Sequence, residues 1–131
     1  MTIWIWILAA SVNGLLAVAA GAAASHLFAA DAHRIALMST SAQYAMYHAL
    51  ALVALAALAA REAGRVERFL AAAGWLFLAG TVLFSGSLYL LALTGTPVFA
   101  QVTPIGGIAF MLGWISLGIS AGRRLWVSRR E

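Results

Sequence analysis

Four apolar runs, each long enough to cross a lipid bilayer and each bounded by charge or by helix-breaking residues, leave this chain few folds to choose from. A helix that spans the hydrocarbon core needs about 20 mostly apolar residues. The runs cover approximately residues 3–26, 42–60, 69–93 and 104–125. Backbone amides in lipid must be bonded within the protein, so the runs are predicted as helices. None alternates apolar and polar residues as a barrel strand does. With 64% hydrophobic and 9% charged residues in a chain of 131, a water-soluble fold has too little interior to hide the apolar surface. The expectation is all-α: an integral membrane four-helix antiparallel bundle, with residues 1–131 forming one domain.

Charge sets the expected orientation. All eight basic residues are arginines. An even number of spans puts both termini and the second connection on one side, together with Arg61, Arg65, Arg68, Arg123, Arg124, Arg129 and Arg130. Arg34 stands alone on the other. Such asymmetry marks the arginine-rich side as cytoplasmic, so both termini are expected in the cytoplasm and the chain in the inner (plasma) membrane. Arginines that flank apolar segments are topology signals, so nucleic acid is not an expected partner. The absence of cysteine excludes disulfides and thiolate metal sites. The first run closes on Gly21-Ala22-Ala23-Ala24-Ser25, a sequence like a signal-peptidase site. It lacks a basic leader and exceeds a signal core in length, so it is read as a retained helix.

The breaks suggest caps. Asp31, His33 and Arg34 interrupt the first stretch, and Ile35 to Met38 are expected along the interface. Thr40 with Gln43 reads as a capping box opening the second span. Arg61 to Arg68 form a charged turn whose glutamates, like Glu131, read as solvated. Thr94-Gly95-Thr96-Pro97 stops the third helix, and Thr103-Pro104 reads as N-cap and first residue of the fourth. Helix association in lipid relies on small residues. Such stripes are Gly14, Ala17 and Gly21 on the first span, Ala45, Ala49, Ala56 and Ala60 on the second, and Gly106, Ala109, Gly113 and Ser116 on the fourth. Trp4, Trp6 and Trp126 are placed as interfacial anchors.

Polar residues within the spans are few: Asn13, His26, Gln43, Tyr44, Tyr47, His48, Ser85, Ser87, Tyr89 and Thr103. On the expected spans all but Asn13 fall in the outer half, so four helices bring polar groups to one depth. Tyr44 and His48, Gln43 and Tyr47, and Ser85 and Tyr89 are each four apart and share a helical face. An ionisable residue inside a span is a functional candidate. The plainer readings are a neutral His48 bonded between helices, tyrosines as interface aromatics, serines bonded to their own helix or a neighbour, and Asn13 as interhelical glue. A metal role for His48 has only His26 to join it. No phosphate loop, zinc-protease motif, nucleophile elbow or carboxylate pair is present in the sequence, and no catalytic residue or cofactor is expected.

Three stretches carry a family resemblance: Gln43-Tyr44-Ala45-Met46-Tyr47-His48-Ala49-Leu50-Ala51-Leu52, Leu83-Phe84-Ser85-Gly86-Ser87-Leu88-Tyr89-Leu90-Leu91-Ala92-Leu93-Thr94-Gly95, and Thr103-Pro104-Ile105-Gly106-Gly107. With them the chain resembles the small membrane proteins of the YgdD and transmembrane protein 256 family, domain of unknown function 423. The resemblance implies a four-helix inner-membrane protein and brings no biochemical activity. It also implies a glycine-rich end to the first helix, where this chain reads Gly21-Ala22-Ala23-Ala24-Ser25-His26-Leu27, and often a further histidine where this chain has Ala45. The expected role is a non-enzymatic one: binding a lipid, small ligand or partner helix through the outer-half cluster. Membrane lipids, a second copy or another membrane protein are the expected partners. The alternatives are a small oligomeric transporter or channel and, further off, a haem- or metal-binding redox protein using His26 and His48.

Overall fold

The computed structural model describes residues 1–62 and 66–130, so Ala63 to Arg65 of the charged turn and Glu131 lie outside the described residues. Four helical spans account for nearly all of it: α1 (Thr2–Leu27), α2 (Ala32–Ala59), a third span, and α5 (Val98–Ser128). The third span runs through α3 (Arg68–Gly80), one π turn (Thr81–Ser85) and α4 (Gly86–Thr94). Each is long and apolar enough to cross a membrane. The termini and the α2–α3 connection share one end, called the basic end below; the α1–α2 and α4–α5 connections share the far end.

Two expected caps are overturned. Helix α2 begins at Ala32, where the Asp31 carboxylate caps it by accepting from the Arg34 amide at 3.0 Å. Thr40 and Gln43 are therefore interior residues, and Ile35 to Met38 belong to the helix rather than to the interface. The cause is that a helix continues past the edge of its apolar stretch until a cap stops it. Helix α5 likewise starts at Val98 behind Pro97, and Pro104 lies inside it. The proline forfeits a hydrogen bond to Ala100, on an exposed face. Thr103 caps nothing; its hydroxyl bonds back to the Phe99 carbonyl at 3.2 Å. The expected stop after α4 holds. Gly95 adopts φ +69°, and its amide closes on Leu91 at 2.8 Å.

Helix α2 and the third span form the inner pair. Helix α1 lies along α2, α5 lies along the third span, and the two flanking helices form no substantial interface with each other. The main core joins Trp6 and Ala10 of α1, Ala49, Leu52, Leu55, Ala56 and Ala59 of α2, Leu70, Ala73 and Phe77 of α3, and Phe110 of α5. Ala17 against Ala42 and Ala45, and Ala24 against Met38 and Ala92, extend the packing toward the far end.

Lipid is as apolar as leucine, so close contact must supply the attraction. It is supplied by rings seated on glycines. Trp6 covers Gly74, Phe110 covers Gly80 and Phe77 covers Gly113, the last two as a reciprocal pair between α3 and α5. Gly106 lies directly against the backbone of Leu83 and Phe84 in the π turn. A Cβ at any of these four positions would overlap its neighbour. Trp6 is consequently fully buried and is not an interfacial anchor, whereas Trp4 and Trp126 are exposed as anchors should be.

The glutamates of the basic end do more than face solvent. Glu67 caps α3, accepting from the amides of Phe69 at 2.9 Å and Leu70 at 3.0 Å. Burial works to raise its pKa. The Leu70 and Phe69 amides, the Ser120 hydroxyl and the Arg123 guanidinium outweigh it, and the carboxyl lies below its ordinary range. Glu62 pairs with Arg124 of α5, and Phe69 carries Arg68 and Arg123 over its ring at 4.8 and 5.4 Å.

Candidate functional site

Earlier starts for α2 and α5 change the depth of the polar residues. His48 falls close to the midpoint of α2 rather than in its outer half. Its ring stacks on Phe110, with centroids 3.5 Å apart and planes within 5°, and Phe77 and Trp114 stand at 5.2 and 6.2 Å. Nδ1 lies 2.9 Å from the Tyr44 carbonyl. A carbonyl only accepts, so in the neutral ring Nδ1 carries the proton and Nε2 is a bare acceptor. Nε2 is buried and meets no donor among the described residues. His48 is thus an aromatic-core residue, held by stacking on α5 rather than by an interhelical hydrogen bond.

Two further groups of hydroxyls bind the third span to its neighbours. On the α2 side, Ser41 is fully buried and donates to the Ser85 carbonyl at 2.6 Å, at the end of the π turn. The Tyr89 hydroxyl is buried next to Ser41. Ser41 was not picked out from the sequence, because it lies one residue outside the second apolar run, two before Gln43. On the α5 side, the hydroxyls of Ser87 and Thr103 meet at 2.8 Å, and Ser87 also donates to the Phe84 carbonyl at 2.9 Å. The π turn is what turns these side chains outward in two directions, because its extra residue offsets the helical register between α3 and α4.

The remaining candidates stand apart. Tyr44 and Tyr47 are exposed on the flank of α2, with Tyr44 leaning on Phe84 at 4.7 Å. Gln43 is exposed, and His26 is exposed at the far end of α1. His26 and His48 are separated by roughly 24 Å of helix axis and share no site. Asn13 bonds the Ala9 carbonyl of its own helix at 2.8 Å instead of joining two helices. Among the described residues no group of three or more metal-ligating side chains occurs.

A groove of ≈ 510 Å³ opens between α2, α4 and α5 at the far end. Leu37, Phe84, Leu88, Leu91, Ala100 and Pro104 form its walls, with Thr103 on one side and His33 at the rim. Because Thr103 is already bonded to Ser87, the interior offers hydrocarbon contact and little else. His33 was absent from the candidates drawn from sequence; its position outside the apolar runs hid it.

Known proteins place the chain. Residues 20–107 match the family described as protein of unknown function (DUF423). The UPF0382 membrane protein YwdK of Bacillus subtilis is 39% identical over 123 residues, covering 92% of this chain and 98% of its own. A UPF0382 membrane protein of Haemophilus influenzae is 39% identical over 109 residues, covering 82% of this chain and 85% of its own. The UPF0382 inner membrane protein YgdD of Escherichia coli is 34% identical over 125 residues, covering 94% and 93%. No solved structure matches. With four membrane-spanning helices and relatives of this kind, the chain is a small multi-pass protein of the inner membrane and belongs to the DUF423 (UPF0382) family.

Proposed function

We propose that this protein binds the hydrocarbon part of an amphipathic membrane ligand, of the lipid class, in the groove between α2, α4 and α5. It does so without catalysing a reaction on it. One observation carries the reading. Thr103, the hydroxyl on the groove wall, places its one proton on Ser87 or on the Phe99 carbonyl, so that wall has no donor left to offer and the groove selects for a chain rather than a polar solute. The open rim holds His33, whose imidazole is suited to meet a headgroup or ester oxygen at the level where the bilayer becomes polar. We propose further that the basic end faces the cytoplasm, which puts this groove in the outer leaflet.

The direct test is native mass spectrometry of the protein extracted with its lipids. Wild type should retain a discrete lipid-sized mass. Ala100→Trp, which fills the mouth from an exposed position, should lose it while keeping its helical content and melting temperature. Retention unaltered by Ala100→Trp sinks the proposal. A transport role finds less support, because the deepest buried polar side chain on α2, His48, is walled in by aromatic rings.

A further inference from the structure

The last turns of α5 make a second surface, independent of the groove. At 31 residues α5 is the longest helix of the chain, about 46 Å at 1.5 Å per residue, against a hydrocarbon core of about 30 Å. Its register at the basic end is fixed. Ser120 and Arg123 lie beside Glu67, the cap of α3, and Arg124 pairs with Glu62. Past that clamp the helix continues alone through Leu125, Trp126, Val127 and Ser128, projecting roughly another 6–9 Å, about the depth of one headgroup layer.

The composition of this projection is unusual for a segment in water. Leu125, Trp126 and Val127 are 63%, 60% and 54% exposed, and consecutive residues cover well over half the circumference of a helix, so no neighbouring span packs on them. Arg129 and Arg130 follow. Neither forms an ion pair among the described residues, and Arg130 stacks on Trp126 at 3.5 Å from the ring centroid. Aromatic and aliphatic side chains interleaved with arginine at the level of the headgroups suit an anionic interface: the rings and aliphatic groups reach inward while the guanidinium groups meet phosphate.

We infer that residues Leu125 to Arg130 are an anionic-lipid-binding surface, which holds the end of α5 in the headgroup layer by arginine–phosphate contact. Among the described residues, the charges that face it are Glu62 and Glu67 from the α2–α3 connection, with Arg123 and Arg124 from α5 itself. Since Glu62 is taken by Arg124 and Glu67 is engaged at the cap, Arg129 and Arg130 remain for the lipid.

The chain has no cysteine, so Val127→Cys gives a single attachment point for a polarity-sensitive fluorophore. The labelled protein is placed in nanodiscs of phosphatidylcholine alone, or with about one third phosphatidylglycerol. The expected result is a blue-shifted emission in the anionic discs. It should reverse at about 1 M salt, where the screening length falls to roughly 3 Å, and vanish in Arg129→Gln/Arg130→Gln. Identical spectra in the two discs, or a shift indifferent to salt and to the double substitution, overturn the inference. A shift reproduced in phosphatidylcholine discs by inorganic phosphate would mean a free-anion site rather than a membrane surface, and overturns it as well. As a readout that needs no label, tryptic cleavage after Arg129 and Arg130 should slow several-fold in the anionic discs and remain unchanged if the surface is not engaged.

Discussion

His48 is the residue whose chemistry and position disagree most. A nitrogen with a free lone pair in a dry aromatic layer is unfavourable unless the site uses it, so two substitutions separate packing from polarity. His48→Ala removes a ring stacked on Phe110 and should cost about 3 kcal/mol through the void it leaves. His48→Phe keeps the ring and removes the unpartnered Nε2. It should fall within about 1 kcal/mol of wild type, read as melting temperature in detergent by circular dichroism. Equal losses in both variants would mean that the nitrogen itself matters. Glycines give a second contrast at this scale. Gly106→Ala forces a Cβ into the backbone of the π turn and should cost about 1–3 kcal/mol. At Gly118 an added Cβ meets nothing within 4 Å; Gly118→Ala should be neutral or stabilising by up to about 1 kcal/mol. The sequence distinguished these positions only in part. The stripe through Gly106 and Gly113 was legible from spacing and is packed, but Gly14 has the same look and open space around it. Spacing finds a face; it does not say whether another helix lies there.

Helix ends were harder to read than helix bodies, for a physical reason. Apolar length is dictated by the thickness of the bilayer, so the spans announce themselves. The ends are dictated by single hydrogen bonds just outside it. Thr40 and Gln43 have the spelling of a capping box, but the Asp31 carboxylate reaches the Arg34 amide first and the helix is already three turns old at Gln43. That displacement also moved His48 from the outer half to mid-depth and dispersed the anticipated cluster into separate contacts. The π turn was not legible at all, since nothing in Thr81 to Ser85 spells an extra residue per turn. The cap at Glu67 yields a prediction of its own. The unfolded carboxyl titrates near its ordinary value of 4.5, and the folded one lower. Between these values the unfolded chain binds more protons, so the stabilisation is complete above about pH 4.5 and fades as pH falls through the folded value. Melting temperature should therefore decline below about pH 4.5 in wild type and decline less in Glu67→Gln. At neutral pH, Glu67→Ala should cost about 1 kcal/mol. Parallel pH profiles for wild type and Glu67→Gln would remove the cap from any account of acid sensitivity.

At the scale of the whole molecule the unusual feature is openness. Helices α1 and α5 flank an inner pair without a substantial interface between them, so much of each is left to lipid, and the two ends of the bundle differ sharply in charge. The far end carries Arg34, bound to Asp31 at 3.5 Å, whereas Arg61, Arg68, Arg123, Arg124, Arg129 and Arg130 gather at the basic end with the termini. Arg34 is thus partly neutralised by Asp31, as Arg124 is by Glu62 at the basic end, and the excess of arginine at the basic end remains. Two single cysteines decide the orientation, one at Ala30 in the α1–α2 connection and one at Ser128 near the end of α5, both exposed. In intact spheroplasts a membrane-impermeant maleimide should label Ala30→Cys, and should reach Ser128→Cys only after lysis. The reverse pattern would invert the assignment, move the groove to the cytoplasmic leaflet and put the α5 projection in the outer one. Partial labelling of both would mean that copies insert in two orientations. In that case antiparallel pairing of the open α1 and α5 flanks between oppositely inserted copies becomes geometrically possible, and crosslinking from either cysteine would be required before any one-sided function is assigned.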